Sequence, residues 1–500
     1  MGFFGTKHAP DSSNVTQPRN DEHVDATDNH PVLGFHSSDP EKQPEGYANE
    51  SHTALPQMHS PRITIDPMLE ARVVRKLDWR VPTLLGFLYL LALLDRSNIG
   101  NARIAGMEED LDIQGNQYSW LLTIFYISYT LGIAATCQAA VQNWAGLMAL
   151  RFLLGAAEAA FGPGSPYLLS FFYSRRELGL RCGLFVSAAP LANTFAGALA
   201  YGITSGHSKL ANWRLLFLVE GVPSCLAAFL AWFYLPDHPS SAWFLTEEEK
   251  DVARARSLRR SGESERVGGV NWKELGQTLL DVKPWITAFM YFSCNVSFSS
   301  LPVFLPTILE DMGFESIHAQ GLTAPPFFVS FIFSIATTWL ADKYQQRGLT
   351  IIFFSLVGAV GYVLLAACTS VAVRYFGVFL AAAGVFPCIA NILPWVLNNQ
   401  GSDSRRGMGI VILNIIGQCG PFLGTNVFPD SDGPRYIRGQ TICAAFMAFN
   451  AVLALCLRFL LVWENKQLDK KYASYNASTT QQKGQAVGEE NYGANFRYVL

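Results

Sequence analysis

Ionisable side chains are rare within the long apolar stretches of this 500-residue sequence, so each one is a candidate for chemistry. Four of them stand out by type and spacing: Asp95, Arg96, Arg151 and Glu158. An arginine holds a carboxylate through its planar fork and stays charged, whereas a carboxyl group in a poorly hydrated site can take up and release a proton. Two acids and two arginines facing one cavity would therefore suit proton-coupled binding of a small organic anion.

Helix geometry is expected to bring these four side chains to membrane depth. Val81–Leu94 is an uncharged run of 14 residues, about 21 Å of helix, which is too short to cross a bilayer. We therefore expect the helix to continue through Asp95 and Arg96. Arg151 and Glu158 are seven residues apart and share one helix face. Because a charge at this depth costs about 2.5–3.5 kcal/mol or more, a functional role is favoured over the alternative, ion pairs that only hold helices in register.

Other polar side chains within the apolar segments have weaker functional arguments. Glu220 with Arg214 near the end of one segment favours a structural pair, and Arg458 is expected to extend its charge to the interface. Asn295 and Asn391 lie in otherwise apolar segments, where an amide can join two helices or bind a ligand. Both asparagines are retained as substrate-binding candidates.

The composition of the chain indicates which elements must position these residues. Half of the residues are hydrophobic and 15% are charged, against about 25% charged in soluble domains. A hydrocarbon core about 30 Å thick requires roughly 20 helical residues. Five successive runs exceed that length without a charged residue: Pro284–Leu309, Ala319–Ala341, Gly348–Val373, Tyr375–Ser402 and Gly407–Pro429. The sequence therefore predicts an all-α polytopic membrane protein.

The order of apolar segments and basic loops predicts the topology. The segments are 81–100, 118–141, 144–172, 182–204, 215–235, 284–309, 319–341, 348–373, 375–402, 407–429 and 439–463. Short loops rich in Lys and Arg stay in the cytoplasm, which predicts that both termini and the central loop are cytoplasmic. Three segments separate the basic sites Arg72–Arg80 and Arg175–Arg181, and an odd number cannot return the chain to the same side.

The segment 118–141 is the source of this conflict. It contains 24 residues, enough for one crossing but too few for a helical hairpin. We therefore predict eleven spans rather than twelve, with 118–141 as one continuous helix and one helix's worth of sequence missing near Thr130–Leu131.

This topology divides the chain into five regions. They are a disordered cytoplasmic tail (1–75), an N-terminal helix bundle (76–235), a cytoplasmic central loop (236–283), a six-helix C-terminal bundle (284–463) and a cytoplasmic tail (464–500). Within the central loop, Thr246–Glu249 has the pattern of a capping box and leads into a basic stretch. This pattern predicts a surface helix.

Several function classes are disfavoured by the sequence. The nine cysteines have neither disulfide-framework nor metal-ligand spacing, and the first 80 residues contain no apolar signal segment. No nucleophile elbow, phosphate loop or cluster of histidines at metal-ligand spacing was found. We therefore expect no enzyme activity, no cofactor, no metal and no nucleic-acid partner.

Four stretches of the sequence resemble a known family. They are RKLDWRVPTLLGFLYLLALLDRSNIGNARIAGM (Arg75–Met107), RFLLGAAEAAFGPGSPYLLSFFY (Arg151–Tyr173), VSFSSLPVFLPTILEDMGF (Val296–Phe314) and PCIANILPWVLNNQ (Pro387–Gln400). They are similar to the fungal allantoate permease group of the anion:cation symporter family, within the major facilitator superfamily, and most of all to its nicotinate-permease-like members. The resemblance implies two helix bundles that alternate in access around a central site.

The resemblance also implies roles for individual residues. The matching positions suggest that Arg96 holds the substrate carboxylate, that Asp95 and Glu158 take the proton, and that Arg151 tunes Glu158 or shares the substrate. The loop Thr338–Gly348 resembles the gating signature of the superfamily, with its charged positions at Asp342, Lys343 and Arg347. Thr338 stands where the superfamily has glycine.

The leading functional hypothesis is a monomeric proton symporter of the plasma membrane. Its substrate would be a small organic anion, with nicotinate or a similar monocarboxylate as the best match, and its other partners would be protons and the lipid bilayer. Export of an acidic secondary metabolite is an alternative, since the same charges would serve it. A non-transporting sensor or defective paralogue is a further alternative, because of the missing stretch.

Overall fold

Helices account for nearly all of the structure, a computed structural model that describes residues 66–103, 107, 110–111, 137–158, 161–206, 209–236, 238–261, 272–473 and 496–500. The first half contains α1 (Pro67–Ala102), α2 (Trp144–Glu158), α3 (Phe161–Phe172), α4 (Arg175–Thr204) and α5 (Asn212–Tyr234). The central segment contains α6 (Glu247–Ser261) and α7 (Trp272–Leu280). The second half contains α8 (Val282–Asp311), α9 (Ser316–Leu322), α10 (Ala324–Tyr344), α11 (Arg347–Ala367), α12 (Val371–Asn398), α13 (Asp403–Gly417), α14 (Gly420–Gly424) and α15 (Ile437–Ala473).

The predicted all-α membrane architecture is confirmed. Within the described residues, nine helical segments are long and apolar enough to cross a membrane. The predicted span 144–172 corresponds to α2 and α3, with residues 159–160 outside the described part. Residues 112–136 also lie outside it. The count of eleven spans and the continuous helix at 118–141 therefore stay predictions.

Two helices are longer than the sequence suggested. α1 begins at Pro67, inside the tail that we expected to be disordered. The Asp66 carboxylate accepts a hydrogen bond from the Met68 backbone N–H at 3.0 Å, and the proline occupies the first helical turn, where its missing N–H costs nothing. α15 likewise continues to Ala473, beyond the predicted boundary at 464.

Burial distinguishes the inner helices of the second half from the outer ones. The apolar windows of α8 and α12 are each 83% buried within the protein, whereas those of α11 and α15 are 33% buried. Glycines let α11 and α12 approach closely, because a Cβ on Gly384 would overlap the backbone of Gly358. The inner helices therefore form the core, and the outer ones present apolar side chains such as Phe353 and Phe459 to the bilayer.

Ion pairs tie the central segment to the first half. Lys76 of α1 lies 2.7 Å from the Glu249 carboxylate, and Arg256 of α6 pairs with both Glu70 and Glu177. The capping box that begins α6 is confirmed: the Thr246 N–H donates to the Glu249 carboxylate at 3.0 Å, and the Glu249 N–H donates to the Thr246 hydroxyl at 3.4 Å. We call this end of the bundle, which carries α6 and α7, the basic end.

Candidate functional site

The helix α1 carries Asp95 and Arg96 and runs without a break through both, as predicted. It packs against α4 and α5 of its own half and against α8 of the second half. Asp95 is 4% exposed. A side-chain hydrogen bond joins it to Ser224 of α5, and Arg151 of α2 is its charged neighbour.

Glu220 of α5 completes a buried group that we call the carboxyl cluster: Asp95, Arg151 and Glu220. Arg151 is 1% and Glu220 2% exposed, and the charged neighbours of Glu220 are Asp95 and Arg151. The Arg151 guanidinium lies over the ring of Phe217, 5.6 Å from its centroid. Phe217, Glu220 and Ser224 follow each other at helical spacing, so α5 presents all three on one face.

The charges of the carboxyl cluster do not balance when both acids are ionised. As far as the structure describes it, the cluster contains two carboxyl groups and one guanidinium, and these three groups together become neutral when one carboxyl binds a proton. Neither carboxylate oxygen of Glu220 has a hydrogen-bond partner among the described residues. Because an uncompensated buried charge is costly, the arrangement is suited to binding and releasing one proton.

The expected pair between Glu220 and Arg214 is wrong. The Arg214 guanidinium lies over the ring of Trp213, 4.6 Å from its centroid, while Glu220 faces Asp95 and Arg151. The physical reason is helix geometry: at 3.6 residues per turn, positions six apart point to different sides of a helix. The repeat of polar positions Glu220 and Ser224 was the sequence signal that could have identified the inward face.

Arg96 faces the second half of the molecule. Its guanidinium carbon lies 5.5 Å from the centroid of the Phe298 ring of α8, and Tyr291, two turns earlier on the same helix, is also its neighbour. Tyr291 is hydrogen-bonded to the side chain of Asn295, whose amide donates to the Gly417 carbonyl at 3.0 Å. A cation, two aromatic rings and an amide therefore lie together between α1, α8 and α13.

The remaining candidates take different positions. The Asn391 amide donates to the Pro387 carbonyl of its own helix at 2.8 Å and to the Thr337 hydroxyl at 3.3 Å, and the second bond joins α12 to α10. Arg458 donates to the Gln346 side chain at 2.9 Å, at the basic end. Glu158 ends α2, but its side chain lies outside the described part of the structure, so its pairing with Arg151 stays a prediction.

The predicted gating loop connects the two halves at the basic end. Asp342 and Arg347 form an ion pair, and Asp342 also accepts a hydrogen bond from the Leu180 N–H of α4. Gly179 leaves the space for this pair, because a Cβ there would overlap both side chains. Lys343 points elsewhere and lies over the ring of Trp339, 5.1 Å from its centroid.

Thr338 occupies the position at which the gating signature has glycine, and a glycine on the facing helix provides the space instead. Thr338 is fully buried, and a Cβ built on Gly183 of α4 would overlap its side chain. The close approach of α4 and α10 is therefore kept, with the small residue on the other helix.

A polytopic helical protein with charges buried between its helices, and with an ion-paired loop that joins its two halves, has the architecture of a secondary transporter. Residues 130–425 match the family model of the Major Facilitator Superfamily. The chain belongs to this superfamily and is a membrane transporter, not an enzyme.

Relatives and solved structures are consistent with this assignment. The chain is 30% identical over 505 residues to the major facilitator-type transporter hxnP of Emericella nidulans, covering 94% of this chain and 100% of that protein. It is 32% identical over 436 residues to the high-affinity nicotinic acid transporter of Saccharomyces cerevisiae, covering 81% of this chain and 80% of that protein. The predicted resemblance to nicotinate-permease-like major facilitators is thus confirmed.

The fold is also shared with distant bacterial transporters. The partially occluded, inward-open xylose transporter XylE from E. coli superimposes with a TM-score of 0.56 at 15% identity, covering 75% of this chain and 97% of that chain. The predicted major facilitator fold is confirmed.

Proposed function

We propose that this protein takes up a small organic anion together with protons, and that nicotinate or a similar monocarboxylate is the substrate. The observation that carries the proposal is the carboxyl cluster, which lies directly beside Arg96 on α1. One helix thus offers a proton site toward α5 and an anion site toward α8. The nicotinic acid transporter among the relatives supports the choice of substrate.

The anion site fits an aromatic carboxylate. Arg96 supplies a cation that stays charged and can bind a carboxylate with two hydrogen bonds. Phe298 and Tyr291 supply ring faces and edges beside it, where a flat aromatic substrate would stack. Asn295 adds an amide that can orient a ring nitrogen or a second oxygen.

The proton site couples to the anion site through charge. Asp95 and Arg96 are consecutive residues of α1, so a carboxylate bound at Arg96 adds a negative charge near the cluster, and uptake of a proton by the cluster becomes more favourable. Glu158 is proposed as a further proton acceptor on α2. Substrate and proton would therefore load together and leave together, which is the requirement for symport.

The ion pair Asp342–Arg347 is proposed to stabilise the arrangement in which the basic end is closed. We propose that this end faces the cytoplasm and that the protein lies in the plasma membrane, because basic loops are retained on the cytoplasmic side. Rocking of the two halves about the central site would then expose it to each side in turn.

Transport into liposomes tests this proposal. The purified protein is reconstituted, a proton gradient directed inward is imposed, and accumulation of radiolabelled nicotinate is measured with and without a protonophore. We expect accumulation that the protonophore abolishes. Accumulation that ignores the gradient would contradict proton coupling. Failure of nicotinate and other monocarboxylates to compete would contradict the substrate class, and accumulation driven only by an outward-directed gradient would favour export.

A further inference from the structure

The segment Phe496–Leu500, which we call the terminal segment, lies against the second half at the basic end. The Leu500 carbonyl accepts hydrogen bonds from the backbone N–H groups of Arg347 and Gly348, where α11 begins. The Trp395 indole N–H of α12 donates to the Val499 carbonyl at 2.8 Å. The terminal segment therefore supplies acceptors to the otherwise unpaired donors of a helix N-terminus.

Two asparagines bind the backbone of the terminal segment from both sides. Asn399, just after α12, accepts from the Val499 N–H at 2.8 Å and donates to the Val499 carbonyl at 3.1 Å. Asn465 of α15 likewise accepts from the Tyr498 N–H at 2.9 Å and donates to the Tyr498 carbonyl at 3.0 Å. Paired bonds of this kind resemble those by which a binding site recognises an extended peptide.

The same segment also contacts the first half. Arg175, at the beginning of α4, donates to the Arg497 carbonyl at 3.1 Å. Its guanidinium carbon lies 4.3 Å from the centroid of the Phe496 ring, and Phe496 is 1% exposed. The terminal segment thus bridges α4 on one side and α11, α12 and α15 on the other.

The terminal segment also forms one wall of a cavity at the basic end. This cavity, about 1010 Å³, is lined by Arg175 and Arg256 from the first half and the central segment, by Asp342 from the second half, and by Arg497–Leu500. Arg347 binds the terminal segment through its backbone N–H and forms the gating pair with Asp342 through its guanidinium. The terminal segment and the gating pair therefore hold the same region.

We propose that the terminal segment is an intramolecular latch that holds the basic end closed and must release before that end opens. Opening separates the two halves, so contacts to Arg175 cannot persist together with contacts to Asn399 and Trp395. A group that binds only the closed arrangement shifts the equilibrium toward it by its own binding free energy. The latch thus sets how often the transporter opens at this end, independently of substrate or proton.

The resident thiol Cys182 is a probe for this opening. It is fully buried on α4, with Arg347 and Asp342 as neighbours, so separation of α4 from α10 uncovers it. The assay uses the full chain with the other eight cysteines replaced by serine (nine in total), in nanodiscs that leave both faces accessible. The rate of Cys182 labelling by a maleimide reports opening, and Asp342→Ala, which breaks the gating pair, calibrates the response.

The latch predicts a specific pattern among variants. Phe496→Ala, Asn399→Ala and deletion of 496–500 should each raise the labelling rate several-fold, toward that of Asp342→Ala. Val499→Ala is the matched control, because Val499 is held through its backbone and should label like the parent. The synthetic pentapeptide Phe-Arg-Tyr-Val-Leu should restore slow labelling to the deleted chain.

An unchanged labelling rate after deletion of 496–500 would overturn the proposal. Equal acceleration by Val499→Ala and Phe496→Ala would also overturn it, because it would indicate loosening of the tail without a defined contact. The readout involves neither substrate nor proton, so its result stands apart from the test of nicotinate symport.

Discussion

Each half of this transporter contains a buried polar network, and the two networks differ in kind. In the first half, α1, α2 and α5 bury two carboxyl groups and a guanidinium, and neither carboxylate oxygen of Glu220 has a hydrogen-bond partner in the described part of the chain. In the second half, α11, α12 and α15 bury a neutral network: Asn450 donates to the Ser355 hydroxyl at 2.7 Å, and Ser355 contacts the Cys388 thiol at 3.2 Å. The buried Arg347 and Arg374 lie apart from this network, in the first turns of α11 and α12. The first set can change its charge during a cycle and the second cannot. We infer that proton coupling belongs to the carboxyl cluster of the first half and that the neutral network of the second half provides a fixed frame.

The largest effect is expected when the acids of the first half are neutralised. We expect Asp95→Asn and Glu220→Gln each to abolish proton-driven accumulation of nicotinate while counterflow exchange persists, because exchange requires no net proton release. Glu158→Gln should behave likewise if its side chain joins the cluster. Accumulation equal to that of the parent at acidic external pH in both Asp95→Asn and Glu220→Gln would remove the cluster from the coupling mechanism.

A substitution at Arg96 tests whether the proton site and the anion site on α1 are separate. Arg96→Lys keeps the charge but loses the planar fork, and we expect the apparent affinity to fall by about 1.5–3 kcal/mol, the worth of a charge-assisted hydrogen bond. The pH dependence of uptake should keep its shape, since the carboxyl cluster is intact. An unchanged half-saturation concentration would count against Arg96 as the carboxylate ligand.

Substitutions in the neutral network of the second half should lower the stability of the protein and leave proton coupling unchanged. Asn450→Ala removes one neutral hydrogen bond, so we expect the free energy of unfolding in mixed micelles to fall by about 0.5–1.5 kcal/mol. The pH profile of uptake should match that of the parent. Ser355→Ala and the double variant complete a cycle that measures the coupling between the two side chains. A shifted pH profile would show that the frame also takes part in proton transfer.

The smallest effect is expected at the basic end. Burial opposes ionisation of Glu249, but the hydrogen bonds from Lys76 and from Thr246 outweigh it and lower the pKa of Glu249. This lowering stabilises the folded protein above the unfolded pKa of about 4.3, and the contribution is lost as pH falls through the folded value. Lys76 is 38% exposed, so Glu249→Gln should cost at most about 1 kcal/mol at neutral pH. The difference should vanish in strongly acidic buffer, as measured by denaturation of both proteins.

Much of the architecture could be predicted because apolar length and capping chemistry are local properties. The continuation of α1 through Asp95 followed from the shortness of Val81–Leu94, and the capping box at Thr246 followed from its residue pattern. Glu220 was misjudged because its partner was sought nearby in the sequence, on Arg214, whereas its neighbours come from two other helices. Contacts between helices are not encoded in any single segment.

Other parts of the site carried no sequence signal. Tyr291 and Phe298 could not be selected as neighbours of Arg96 because they are two aromatics among 18 tyrosines and 35 phenylalanines. The terminal segment was included in a polar tail, and its contacts depend on backbone groups, which every residue has. That Gly183 provides the space for Thr338 can be recognised only from the contact between α4 and α10.

The position of Leu500 has a practical consequence for how this transporter is produced and observed. Its carbonyl accepts hydrogen bonds from the first two backbone N–H groups of α11. If the proposed latch holds the basic end closed, a fluorescent protein or purification tag joined directly after Leu500 should weaken this contact and raise the rate of Cys182 labelling. A tag joined ahead of residue 1 is the matched comparison, because it is not attached to a residue of this contact.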